Sequence, residues 1–397
     1  MRIIIPLLAL ALFLSSCATP QPKLRVVMGL GEAEWQVMRE EIFPSFEKAN
    51  KIKIEAIQME ASDLPQVLEA QVKAGNVKID LFARDNQQLS YFVYKDLVED
   101  LSLQEKDIPP TVIPALIEAG KFKQKLFFLP YRPNVQITYY NQEKFNQYGL
   151  KPPRNWDELL RVAKLFKEKE KTGKVLFMAH GGEPTALQLY EWIVSAGGDP
   201  LSLNDEGCVN TFAFLQSLWP YLSPDSIQAE FDTSNEYLAR DSAYLMQNWP
   251  HGARVIVEDY KKQGIATYHG FSGPVREAHV VGGEVLGIPR GAPNKELALR
   301  LVKYLQSKEV QEKLVSKLGW PSIRSDAYGT VPQWLQPHFE SVDQALTYGV
   351  FRKNVPYWND YVKYINEAFA EIVTRGAPVK KTLDFYHDQL EADKQRM

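Results

Sequence analysis

Groups able to do chemistry are plentiful in this 397-residue chain, but their spacing matches none of the common catalytic or metal-binding arrangements. Six histidines (His180, His251, His269, His279, His338 and His387) are scattered without metal-ligand intervals, so spacing predicts no metal site. No HExxH, CxxC, glycine-rich phosphate loop or GxSxG elbow occurs. Cys208 has no histidine partner pattern and reads as a packed or loop thiol. Tyr139-Tyr140 could offer tyrosinates to ferric iron, yet neighbours in a strand face opposite ways and one belongs in a core. The 49 Asp and Glu allow many carboxylate pairs of the kind that hydrolyse glycosides, and sequence fixes no distance between them. Neither a catalytic residue nor a cofactor is assigned.

Composition sets the frame in which such groups must be held. Lys and Arg number 46 against those 49 acids, a net charge of −3 that speaks against a general nucleic-acid binder. With 45% hydrophobic and 24% charged residues, the chain is neither a polytopic membrane protein nor a disordered one. Its length fits two larger lobes.

The elements alternate. Leu24–Met28 is a strand-type run, and 34–49 is helical, with Met38, Ile42, Phe46 and Ala49 on one face and a break expected at Pro44. Ile52–Ile57 alternates as a second strand, Asp63–Ala74 is a helix ended by Gly75-Asn76, and Val77–Ala83 is a third strand. This order predicts a parallel α/β sheet. After Pro133, Gln136–Tyr140 and Lys174–Met178 are strand candidates, and a helix starts near Trp156. Leu297–Leu305 and Ser307–Leu318 are amphipathic helices, the second with Ser307 as N-cap. Ligands of parallel sheets lie outside the carboxyl ends of the strands. That rule places Asp85, after the third strand, and the Gly29–Trp35 loop, after the first, beside any cleft.

The start of the chain carries its own signal. Met1-Arg2 is basic, Ile3–Leu14 is apolar but too short to span a bilayer, and Leu14-Ser15-Ser16-Cys17 resembles the bacterial lipobox. Residues 1–16 are thus expected to be a lipoprotein signal peptide, with Cys17 lipidated and 17–23 a tether. The protein is expected outside the cytoplasm, anchored to a bacterial membrane on its periplasmic or cell-surface side. With Cys17 so used, Cys208 has no partner for a disulfide.

Five segments in order then resemble the family 1 extracellular solute-binding proteins of ABC sugar importers, the maltose- and trehalose-binding group. They are Ile79–Asp85 with Leu97–Leu101, Leu126–Asn134 running into Asn141, Met246–Pro250, Gly282–Ile288, and Leu318–Arg324 through Tyr328. The likeness covers nearly the whole chain after Cys17. It implies an α/β, two-lobed periplasmic-binding-protein fold of type II, each lobe a mixed sheet flanked by helices. Lobe one would be 24–131 plus 285–328, lobe two 135–282 plus 329–397, with hinges at the crossings. It further implies a carbohydrate or related polyol as ligand, ABC permease subunits as partners, and a monomer.

Sugars need flat rings against C–H faces and charged or amide groups for hydroxyls. By the resemblance, Trp249 is the stacking residue and Asp85 the hydroxyl acceptor. Asn86, Asn134 and Arg324 are further hydroxyl partners, and at least one of Glu32, Glu34 and Trp35 in the first loop reaches the ligand. Gly283 marks the return crossover. Three departures stand out: Glu284 replaces a Trp usual after the paired glycines, Asn134 replaces an Asp of the trehalose-binding members, and Arg132 replaces an aromatic. These leave maltose itself in doubt and keep open a glyceryl-phosphate ligand or, from another class, an exported glycan-acting enzyme.

Overall fold

Short apolar runs flanked by turn residues form strands wherever their amides can find a ladder, and the expected alternation produces one large sheet. A computed structural model describes residues 21–59, 63–86, 89–329 and 331–396. The expected signal peptide, Cys17 and most of the expected tether lie outside these. Strands β1 (Lys23–Met28), β2 (Lys53–Gln58) and β3 (Leu81–Asp85) pair in parallel with β1 in the middle. β3 starts later than the pattern predicts. Just before it, the Asp80 carboxylate accepts the Arg25 N–H at 2.8 Å. The helical stretch after β1 breaks as expected. Helix Glu32–Val37 passes through a wider turn, Met38–Ile42, into helix Phe43–Asn50, whose first turn accommodates Pro44 because its missing N–H would have no partner there.

A hairpin of β4 (Lys121–Phe122) and β5 (Lys125–Leu126) precedes β6 (Phe128–Val135). The remaining strands are β7 (Ile137–Asn141), β8 (Leu245–Asn248), β9 (Ile265–Tyr268), β10 (His279–Gly287) and β11 (Gly349–Phe351). The large sheet runs β11-β10-β3-β1-β2, with β6 also on β10, and a second sheet runs β8-β7-β9. β10 changes company along its length. Its first residues pair with β11 and its last with β3, while β6 runs antiparallel beside it. Lys174–Met178 is not a strand; Val175 makes only isolated bridges, to Leu222 and Leu245. Side chains take the amides a ladder would need, since Phe177 N–H goes to Ser226 Oγ (3.2 Å) and Met178 N–H to Gln188 Oε1 (2.8 Å).

The packing follows the two sheets. One core joins Leu24, Trp35 and Tyr131 to Leu286, Leu301 and Trp320, and the opposite face of the same sheet packs Phe82, Phe92 and Phe128. Another core joins Phe145, Phe166, Trp192 and Phe212 to Tyr361 and Phe369, with Cys208 buried in it. A further cluster, including Val135, Ile137, Val281, Ile323 and Phe339, sits where β6 and β10 pass between them. Helix Lys308–Leu318 has the expected N-cap, Ser307 Oγ accepting from Val310 N–H, and it ends at Gly319 with φ +67°. Among the described residues no helix is long and apolar enough to cross a membrane.

Candidate binding cleft

A cleft of about 600 Å³ lies between the two packed bodies. The near wall is the Gly31–Glu34 turn after β1, Arg132 of β6 and the turn 317–321. The far wall runs from Phe231 to Asn235 and from Asn248 to Asp259. Trp249 stands on the far wall because the chain turns out of the second sheet at the end of β8. Its N–H meets Asn248 Oδ1 at 2.8 Å, and its carbonyl accepts the Tyr139 hydroxyl at 2.7 Å. The half-buried ring leans on Phe231, with centroids 5.6 Å apart at 55°. A Cβ on Gly282 would come 3.1 Å from that ring, so glycine there lets the indole lie against the crossover strand. Asn134, also on β6, lines the cleft beside it.

Charge is concentrated on the near wall. Arg132 lies between two carboxylates, Glu34 Oε1 at 3.2 Å and Glu284 Oε2 at 3.3 Å, and its guanidinium covers the Trp320 ring 4.3 Å from the centroid. Trp320 Nε1–H donates to the same Glu34 oxygen at 3.0 Å, and Glu34 Oε2 accepts Gly31 N–H at 2.8 Å. Burial pushes the Glu284 carboxyl above its ordinary range, Arg132 opposes this, and Asp85 and Glu34 add to it. Two of the departures noted in the sequence are a single feature. Glu284 and Arg132 face each other in the β10–β6 register.

Behind this wall a second cation holds the strand ends together. Arg352, 4% exposed at its side chain, donates to Asp85 Oδ1 (2.9 Å), Asn86 Oδ1 (2.9 Å) and Glu183 Oε1 (2.8 Å). Glu183 also accepts from Trp358 Nε1 at 3.1 Å. Burial raises the Glu183 carboxyl despite Arg352. Asp85 keeps a side chain 42% exposed and lies opposite Glu284 in register. The walls also touch at the cleft mouth, where Arg254 Nη2 donates to the Ser316 carbonyl at 3.0 Å.

Several expected site residues fall elsewhere. Trp35 is 2% exposed and sits in the core with Met38 and Ile42, its indole N–H bound to Gln58 Oε1, because its stripe of the helix faces the sheet. Arg324 is clamped by its own loop through two bonds to Asp326 (2.8 and 2.9 Å), so its fork is used before any ligand arrives. Asn86 is buried, spending its side chain on Arg352 and the Val281 carbonyl. Gly283 serves through its backbone. Its φ is +107° and a Cβ would lie 2.1 Å from the Arg132 carbonyl. The structure thus brings Trp249, Asn134, Glu34 and Arg132 to the cleft, with Glu284 supporting Arg132 from below. Sequence reasoning missed Arg352, Glu183, Trp320 and Phe231. A signal for Trp320 existed. Trp320-Pro321 repeats the Trp249-Pro250 step, although Trp219-Pro220 carries it too and packs on the Phe369 core.

The model of the bacterial extracellular solute-binding protein family matches residues 41–340. A probable ABC transporter-binding protein of Deinococcus radiodurans is 23% identical over 367 residues, covering 84% of this chain and 85% of its own. A cyclo/maltodextrin-binding protein complexed with maltotetraose superposes with TM-score 0.79 at 18% identity, covering 96% of this chain and 99% of its own. A maltose-bound protein of T. maritima, MalE3, gives 0.76 at 19% identity, covering 93% and 99%. The fold is therefore the two-lobed one of the maltose-binding type.

Proposed function

The chain belongs to the bacterial extracellular solute-binding protein family, and from that premise we propose that it captures a neutral carbohydrate or polyol and delivers it to the permease of an ABC importer. Proteins of this family work outside the cytoplasm and bind their solutes without transforming them. The observation that carries the carbohydrate reading is the Trp249 ring on the far wall, facing the Glu34–Arg132 charges of the near wall across the cleft. A pyranose matches this pairing, with a C–H face for the indole and hydroxyls for the charged groups. The ligands named for the maltose- and maltotetraose-bound structures are of the same class.

Charge selects a neutral ligand. The cleft is lined by five acids (Glu32, Glu34, Asp232, Glu258 and Asp259) against three cations (Arg132, Arg254 and Lys317), and Arg132 is already shared between Glu34 and Glu284. A glyceryl phosphate would have to displace those carboxylates, and Arg324 points away to Asp326. In this reading 24–131 with 285–328 form one lobe and 135–282 with 329–397 the other. They close about the crossovers near 132–135 and 283–285, with contacts from both walls favouring the closed state. Cys17 carries the lipid that anchors a monomer to the membrane surface.

Calorimetric titration against mono-, di- and oligosaccharides, polyols and glycerophosphodiesters tests the reading. A neutral sugar binding at one equivalent without turnover is the expected result. Binding of an anionic solute or a peptide, with every sugar inert, would overturn it.

A further inference from the structure

Away from the cleft, the chain leaves β9 at Tyr268, runs through a loop, and returns to enter β10 at His279. That return brings together three groups from a single eleven-residue stretch, His269 to His279. Glu277 Oε1 contacts His269 Nδ1 and lies 2.9 Å from His279 Nε2, and one ligand atom from each residue falls within 4.8 Å of the others. We infer that His269, Glu277 and His279 form a binding site for a divalent transition-metal ion of the zinc class.

Two imidazoles and a carboxylate are the donor set of three-ligand zinc sites, whose remaining position is left to water. Metal–ligand bonds of about 2.0–2.2 Å require donor atoms roughly 3.3 Å apart, so the two contacts to Glu277 need to lengthen slightly, with the three atoms already within 4.8 Å of one another, to admit an ion. Access is available, with the His269 side chain 31% and the Glu277 side chain 17% exposed. His279 is fully buried, and its Nδ1 makes no hydrogen bond, although Glu191 Oε1 stands 3.7 Å away. Glu191 is otherwise occupied by Gln247 Nε2 and the Val280 N–H. Metal on Nε2 would fix the proton on Nδ1, aimed at that carboxylate, which is the outer-shell arrangement that orients metal-bound histidines. The loop is shaped for this ring. Gly270 has φ +146°, and a Cβ there would sit 2.4 Å from His279 Cε1. Tyr348 stacks on His269 at 6.2 Å and 27°. Bound metal would pin the loop to the first residue of β10, the strand that carries Glu284 between the lobes.

The test is calorimetric titration of the full chain, chelator-stripped and free of any affinity histidines, with zinc chloride. One equivalent should bind with micromolar or tighter affinity and raise the melting temperature. His269→Ala, at a partly exposed position that does not endanger folding, should lose the binding and the thermal shift, as should Glu277→Gln. Glu191→Gln should weaken binding by about 10- to 100-fold, and His180→Ala should leave it unchanged. Absence of saturable binding at about 100 µM zinc, or equal affinity in the parent and His269→Ala, would overturn the site.

Discussion

Arg132 illustrates how one side chain can redefine a binding surface. Its guanidinium covers Trp320 and draws Glu34 and Glu284 onto itself, so the near wall offers charge and the far wall offers the ring. Stacking energy therefore rests on Trp249. Trp249→Ala should weaken sugar binding by about 10- to 30-fold, equivalent to roughly 1–2 kcal/mol, measured by calorimetry, with the thermal melt little changed. Unaltered affinity would remove Trp249 from the site. Arg352 has the opposite character, being buried and spent on protein groups. Arg352→Ala removes the cation shared by Glu183, already raised by burial, Asp85 and Asn86. It should cost about 3 kcal/mol in urea denaturation, and an unchanged midpoint would show that these carboxylates need no cation.

Among the elements, helix Gln336–Thr347 carries a buried group whose titration has a predictable sign. His338 is 5% exposed, neither ring nitrogen makes a hydrogen bond, and it packs against Tyr139 and Phe339. Burial pushes its pKa down to about 4 from the usual 6.5. The folded protein thus keeps His338 neutral while the unfolded chain protonates it below 6.5. Its contribution to stability is complete above that pH and is lost as pH falls toward 4, on the order of 3 kcal/mol in all. Carboxylates such as Glu158, held at about 2 by Arg154, act only below their ordinary value of 4.5, whereas Glu183 and Glu284, raised by burial, favour the folded state as pH falls through the same window and oppose the histidine. His338→Phe should flatten the melting temperature between pH 6.5 and 4.5. An equally steep decline in both proteins would assign that slope to other groups.

For the molecule as a whole, the proposed closure would be assisted by contacts that already join the two bodies. Arg254 reaches Ser316 from wall to wall, while Arg352 reaches Asp85, and Leu89 N–H reaches Asn354 Oδ1 at 3.1 Å, outside the cleft lining. Of these, the Arg254 contact lies at the mouth and opposes opening most directly. In small-angle scattering, a bound sugar should shrink the radius of gyration by roughly 1 Å on a value of about 21 Å. Arg254→Ala should expand the ligand-free protein and leave the sugar-bound form unchanged. Identical profiles with and without ligand would refute a hinge.

What the sequence determined by itself was local. The strand–helix alternation, the break at Pro44 and the Ser307 cap depend on residues within a turn or two, and each is where the chain places it. Two misplacements were legible as well. Trp35 lies on the stripe of Met38 and Ile42, and Arg324 has Asp326 two residues away. Lys174–Met178 failed because serine and glutamine side chains from distant segments captured its amides. Only the tertiary structure could decide which charges meet. Arg352 pairs with Asp85 across 267 residues, Arg132 faces Glu284 through strand register, and His269 meets His279 where a loop returns. Helical and strand periods arise from the backbone and repeat along the chain. The choice of a charge partner arises from register and packing between distant segments and leaves no period to read.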